Sequence, residues 1–256
     1  MLEIKDLCFR YGRHASAVLS GINLTLSDGE IGILLGRNGS GKTTLFNTVL
    51  GINAPSSGTI FFDGKDLSRL SRRERAGLVA YVPQHIHFGS LTVYDSVLMG
   101  RISSFGIRPG PEDYRAVDNI LAEMGLGDFA DRNAENLSGG EKQKIAIARA
   151  MAQSPRLLIF DEPTGNLDIA NEELIIKEAK TIVARRGISI LSSLHDLNQA
   201  LYFGDRFFFL RDGKIKYSGD ERVFTPDVIR DIFDIPSKIF IYQGKKIILG
   251  GEHYEN

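Results

Sequence analysis

Cysteine is almost absent from this chain of 256 residues: the single thiol, Cys8, leaves no partner for an intrachain disulfide. Cys8 lies in an apolar, strand-like run and is expected to pack as a small buried hydrophobe, not to act as a reactive thiol. Net charge is also missing. Lys plus Arg number 31 and Asp plus Glu 32, giving −1, which argues against a nucleic-acid binder with its strong basic excess. No apolar run reaches the ~18 residues of a membrane span; the richest, at 31–35 and 157–160, are strand-sized. The opening Met1-Leu2-Glu3-Ile4-Lys5-Asp6 lacks the basic-then-apolar layout of a secretory signal. Internal repeats, low-complexity tails and sustained heptads are absent too. What is there is a chain 43% hydrophobic and 25% charged, the composition of a globular protein. It is expected in the cytosol unless a partner brings it to a membrane.

Along the chain, Leu2 and Ile4 and then Ile22, Leu24 and Leu26 alternate with polar residues, as half-buried strands do. Ile31-Gly32-Ile33-Leu34-Leu35 is a continuous apolar run, suited to a strand buried on both faces in a parallel sheet. Residues 43–50 read as a helix, 55–58 as a turn, and 59–62 and 77–82 as strands. From about 90 to 155 strand signals vanish. Val117, Ile120, Leu121 and Met124 have a helical period, with Gly125 placed to stop it, and 106–111 is a breaker-rich loop. Strand and helix then alternate again over 157–160, 171–185, 188–193 and 196–203. Asp212-Gly213 between 207–210 and 214–217 predicts a hairpin with a type I′ turn, and a second hairpin is expected around Gly244. The pattern is α/β with a helical insertion and peripheral antiparallel strands.

Gly36-Arg37-Asn38-Gly39-Ser40-Gly41-Lys42-Thr43 fits the G-x-x-x-x-G-K-[ST] phosphate-loop pattern, between an apolar strand and a helix. Glycines let the backbone curl until several N–H groups face one phosphate, with no Cβ in the way. The following helix adds its positive dipole end. Lys42 supplies a mobile charge for the β- and γ-phosphates, and the Thr43 hydroxyl is a ligand for Mg²⁺, with Thr44 next in line. These residues predict a nucleoside triphosphate site.

Residues 157–160 form an apolar strand that ends in Asp161 and Glu162. In a parallel sheet the carboxyl ends of strands line the ligand crevice. Asp161 is therefore placed to hold Mg²⁺, and Glu162 to take a proton from an attacking water. Leu137-Ser138-Gly139-Gly140-Glu141-Lys142-Gln143 opens another helix, with Ser138 as N-cap and Glu141 completing a capping box. A helix start preceded by Ser-Gly-Gly is itself suited to an anion.

With this string the chain resembles the ATPase subunit of an ATP-binding cassette transporter over nearly its full length. The resemblance implies a P-loop NTPase core with a parallel sheet, an inserted α-helical subdomain and a peripheral antiparallel β subdomain. The core and β subdomain would take about 1–88 and 156–225, the helical subdomain carrying the signature about 89–155, and a C-terminal extension about 226–256. Tyr11, 25 residues before Gly36, is similar to the aromatic that stacks on adenine. Gln84 resembles the glutamine that touches Mg²⁺ and water while sensing the membrane partner. Pro163-Thr164-Gly165-Asn166-Leu167-Asp168 resembles the loop that bridges two subunits, and His195, 33 residues after Glu162, the switch histidine at the γ-phosphate. In the family two copies face head to tail. ATP on one copy's loop is then closed by the other's Ser138, Gly139 and Gly140.

Residues 92–101 are similar to a segment of importer ATPases for ferric siderophores, haem and cobalamin, and His195-Asp196-Leu197-Asn198-Gln199-Ala200 and 225–229 agree. This resemblance implies an integral-membrane permease as partner, docked beside Gln84, a substrate-binding protein acting indirectly, and a place at the cytoplasmic face of the membrane. The wording of 164–168 is commoner among lipoprotein and macrolide exporters, so an exporter or lipoprotein-release ATPase is the alternative. A soluble cassette of translation or repair would bring two cassettes or a long coiled coil, and a small-molecule kinase would not need the Ser138 string. His85 and His87 form a His-x-His without a Cys or acid at ligand spacing, and are expected as plain loop histidines. Arg72-Arg73-Glu74-Arg75 is expected as a solvated helix face.

Overall fold

The computed structural model describes residues 1–12, 14–165 and 167–251. Asn166 of the 163–168 loop and the last five residues of the expected C-terminal extension lie outside the described residues. In chain order the elements are β1 (Leu2–Phe9), β2 (Leu19–Leu26), β3 (Ile31–Leu35), α1 (Lys42–Val49), β4 (Ser57–Phe62), β5 (Lys65–Asp66), α2 (Arg72–Ala76) and β6 (Val79–Val82). There follow α3 (Val93–Leu98), α4 (Pro111–Glu123), α5 (Gly139–Met151), β7 (Leu157–Asp161), α6 (Ile169–Arg186), β8 (Ser189–Ser193) and α7 (Leu197–Phe203). The chain closes with β9 (Arg206–Arg211), β10 (Lys214–Gly219), α8 (Pro226–Phe233), β11 (Ser237–Tyr242) and β12 (Lys245–Gly250). Two compact units result, one of residues 1–68 with those from 191 on, the other of residues 69–190. Among the described residues no helix is long and apolar enough to cross a membrane.

In the first unit β2, β1, β4 and β5 form an antiparallel sheet in that order. β1 buries Leu2 and Ile4, then Leu7 and Phe9, an alternation that changes phase midway. The register shifts between Ile4 and Leu7, where Asp6 takes φ 45°, so one bulged residue restores the apolar side chains to the same face. Cys8 is half-buried, not the fully buried hydrophobe expected, because after the bulge it alternates with the buried Leu7 and Phe9 and faces the other side of the sheet; its Sγ accepts from the Gly21 N–H at 3.2 Å. β3 is buried at every residue and pairs parallel with β9, whose Phe207, Phe208, Phe209 and Leu210 are buried as well. Asp212 and Gly213 both have positive φ, as the type I′ turn requires, and Gln243 and Gly244 repeat this between β11 and β12. Phe224, just before α8, meets Phe207 and Phe209 edge-on, with centroids 4.8 and 5.1 Å apart.

In the second unit β6 pairs parallel with the fully buried β7. Between them the chain is helical, as the loss of strand signals predicts. Pro111 opens α4 at its first turn, where its missing N–H costs nothing, and Gly125 follows its end at φ 64°. The Asp113 carboxylate accepts from the Gly110 N–H at 2.9 Å and from Arg101 Nε at 3.0 Å, and these bonds hold its pKa below the ordinary value. Arg101 also donates to the Ala152 carbonyl at 3.0 Å, tying the 3-10 turn Met99–Arg101 to the end of α5. The approach is closest at Gly100, where a Cβ would stand 2.1 Å from the Arg149 carbonyl oxygen. Backbone cannot yield as a side-chain tip can. Gly100→Ala is therefore expected to destabilise the protein by about 1–3 kcal/mol, an overpacking cost, read as a lower urea midpoint at unchanged m. An unchanged midpoint would show that the helical segment accommodates the methyl group.

Candidate functional site

The phosphate loop connects β3 to α1, and Gly39 and Gly41 hold φ 79° and 110°, conformations that a side-chain-bearing residue rarely adopts. Lys42 is buried and its ammonium folds back into the loop, donating to the carbonyls of Gly36 at 2.8 Å and Arg37 at 3.3 Å. The Ser40 Oγ is buried with no hydrogen-bond partner among the described residues. A buried hydroxyl left unpaired is costly, and in a glycine-curled loop it fits a phosphate oxygen. Arg37, Asn38 and Gly39 are exposed, as is Thr43 on the first turn of α1. Arg37 pairs outward with Asp234 at the end of α8. Tyr11 is 67% exposed, stands edge-on to Phe9, and its hydroxyl lies 3.1 Å from Thr44 Oγ1. The expected adenine-stacking aromatic is thus anchored to the loop-bearing helix of its own unit, with an open ring. His195 follows buried Leu194 at the end of β8 and is exposed, not a core histidine.

In the second unit Asp161 ends β7 buried, and Tyr81 of β6 donates its hydroxyl to Asp161 Oδ2 at 3.2 Å. Burial, and then the Asp161 charge, pushes that tyrosine's pKa well up, so it stays a donor. Glu162 sits next at φ 50°, a left-handed conformation stored at a strand end. Its carboxylate accepts from the Gln84 side-chain amide. The parallel register accounts for the pairing: Val82 lies opposite Phe160, so Gln84 and Glu162 both emerge two residues further on. They share a pocket of about 190 Å³ with His85, His87, Lys142 and Gln143. Among the described residues no group of three or more His, Cys, Asp and Glu is placed to hold a metal ion.

Ser138 caps α5 as expected. Its N–H donates to Glu141 Oε2 at 2.8 Å, and Glu141 N–H returns to Ser138 Oγ at 3.4 Å. At Gly140 a Cβ would fall 2.4 Å from Asn171 Oδ1, so the absence of a side chain lets the first turns of α5 and α6 meet. Asn171 in turn binds Asp168, the N-cap of α6, through its N–H at 2.8 Å and its side-chain amide at 3.0 Å. One residue of this region escaped the sequence reading. Glu135 accepts from the Phe88 N–H at 2.8 Å and from Lys142 Nζ at 2.9 Å, fastening the loop after Gln84 to the Ser138 helix. Those two partners pull its carboxyl down to about 2. No local pattern marks it, because its partners lie 47 residues back and 7 ahead.

The family model described as ABC transporter matches residues 19–165. A hemin import ATP-binding protein of Bradyrhizobium diazoefficiens is 36% identical, covering 97% of this chain and 94% of its own length. A phosphonates import ATP-binding protein of a Synechococcus strain is 34% identical, covering 91% and 90%. A solved metal-chelate type ABC transporter in an inward-facing conformation superposes with a TM-score of 0.84 at 27% identity, over 98% of this chain and 96% of that one. A dimeric ATP-binding cassette in a post-hydrolysis state, bound to ADP and Pi, gives 0.75 at 28% identity, over 88% and 100%. Matched along nearly its whole length by ATP-binding subunits, this chain belongs to the ABC transporter family and is one of its ATPases.

Proposed function

We propose that this ATPase powers uptake of a metal chelate, a ferric siderophore or haem, or of cobalamin, through a permease at the cytoplasmic face of the membrane. The observation that carries the solute class is the near-complete overlap with a metal-chelate type transporter, which agrees with the hemin-importer relative. Asp95 of α3 and Met99 of the turn after it are exposed within residues 92–101, which supports a permease contact there, beside Gln84. A substrate-binding protein outside the membrane would deliver the solute. In this reading residues 89–155 act as the helical signature subdomain, and two copies pair head to tail around two nucleotides.

The residues divide the work as follows. Gly36 to Thr44 cradle the phosphates, Lys42 countering their charge and the unpaired Ser40 hydroxyl donating to an oxygen. Thr43, Gln84 and Asp161 would hold Mg²⁺, which when bound would supply countercharge to the phosphates. Glu162 accepts a proton from the attacking water while the Gln84 amide holds its carboxylate in place, and His195 contacts the γ-phosphate. Ser138, Gly139 and Gly140 close the partner copy's site, with Asp168 at the subunit boundary. Tyr11 stacks on the base. Tyr11→Ala is then expected to weaken ATP and GTP alike by ~1–3 kcal/mol, whereas Tyr11→Phe keeps the ring face and loses only the hydroxyl contact with Thr44. Equal nucleotide affinity in Tyr11→Ala and the unmodified protein would remove this residue from the site.

The solute reading is tested by reconstituting the chain with the permease encoded beside it and measuring ATP-dependent movement of labelled haem, ferric siderophore, cobalamin and phosphonate. Accumulation of one of the first three on the cytoplasmic side is expected. Phosphonate uptake, or movement in the outward direction, would overturn it.

A further inference from the structure

Within the second unit, a feature that nucleotide chemistry does not use lies between α2 and the loop before α4. α2 carries Arg72 and Arg73, both exposed, behind a capping box in which the Glu74 carboxylate is occupied by the Ser71 N–H at 2.8 Å and hydroxyl at 2.6 Å. Arg73 reaches across and donates to the Ser104 carbonyl at 3.0 Å. The loop it touches exposes Ile102 by 58% and Ile107 by 99%, with exposed Arg108 directly after. Neither Arg72 nor Arg108 is in an ion pair among the described residues. Scattered exposed isoleucines are ordinary. Isoleucines flanked by three guanidiniums, on a chain whose overall charge is −1, are a local excess of one sign around apolar tips.

We infer that this patch rests on the anionic headgroups of the bilayer, the arginines on lipid phosphates and Ile102 and Ile107 in the boundary between headgroup and acyl chain. The inference rests on the proposed peripheral place beside a permease. Charge complementarity selects lipid over protein. Cytoplasmic loops of membrane proteins carry a Lys/Arg excess that would repel these guanidiniums, whereas the cytoplasmic leaflet is negative. Arginine also matches phosphate oxygens with paired N–H groups. A net-negative chain is not drawn to such a surface as a whole, so the patch must supply the attraction.

The test is co-sedimentation of the full chain, without permease, with vesicles of phosphatidylglycerol and phosphatidylcholine mixed, or of phosphatidylcholine alone. Partition onto the mixed vesicles is expected, falling steeply with added salt. Arg72→Ser with Arg108→Ser should lower it about 25-fold, at about fivefold per cation, and Ile107→Ser should lower it separately. ATP hydrolysis by the free protein should not change, which certifies that the variants fold. Equal partition onto both vesicle types, or an unaltered partition of the double variant, overturns the inference. So does loss of permease co-purification in the double variant with vesicle binding intact, which would make the patch a protein contact. Because no permease or solute enters the vesicle measurement, failure of the uptake reading and failure of this one are told apart.

Discussion

Glu162→Gln is expected to stop ATP turnover while ATP binding survives. The glutamine side chain has the same length, and its carbonyl oxygen still accepts from Gln84, so the strand end with its left-handed backbone at residue 162 keeps its geometry. What is lost is the lone pair that takes a proton, since a primary amide is not a base near neutral pH. Positioned bases contribute ~10²–10⁴-fold, and that is the expected fall in the hydrolysis rate. In the proposed site, removing a negative charge beside the γ-phosphate would also lower repulsion in the ATP-bound state. An ATP-dependent dimer should then appear on a sizing column, more populated than that of the unmodified protein. Hydrolysis by the glutamine variant near the unmodified rate would show that another group receives the proton.

The elements that read plainly from sequence are those whose cause is local. Ile31–Leu35 is apolar at every step around one glycine, which suits a strand buried on both faces, and all five residues are buried. Asp212-Gly213 dictates its own turn, and Ser138 with Glu141 dictates its own cap. The phosphate loop is similarly self-contained, because its function lies in consecutive backbone. Features that depend on two distant segments were not legible. The Gln84–Glu162 contact needs the β6–β7 register, which neither strand specifies alone. Gly100 looks like any glycine until Arg149 is seen behind it, and Glu135 like any surface acid until Phe88 and Lys142 converge on it. The half-exposure of Cys8 follows from bulged strand pairing, in which its run of apolar neighbours has no part.

A mixed dimer of Lys42→Ala and Ser138→Arg chains should trap ATP at one site, although each pure variant dimer traps little. If the phosphate loop and the Ser138 helix served the same chain's nucleotide, every site in the mixed dimer would carry one defect. If they serve across the interface, one site collects both lesions and the other pairs an intact Lys42 with an intact Ser138. Lys42→Ala removes the ammonium that now bonds to Gly36 and Arg37, and with it the countercharge proposed for the phosphates. Ser138→Arg blocks the helix start with bulk and removes the hydroxyl that caps Glu141 N–H. Loss of that cap costs ~1 kcal/mol, too little to unfold α5, and a thermal melt of the variant checks this. Steady-state hydrolysis is a poor readout, since two sites that alternate need each other to cycle. Nucleotide retained after locking with vanadate, a mimic of the transferring phosphoryl group, reports each site on its own. Trapping in the mixed dimer no greater than in either parent, with both proteins folded, would mean that each chain completes its own site.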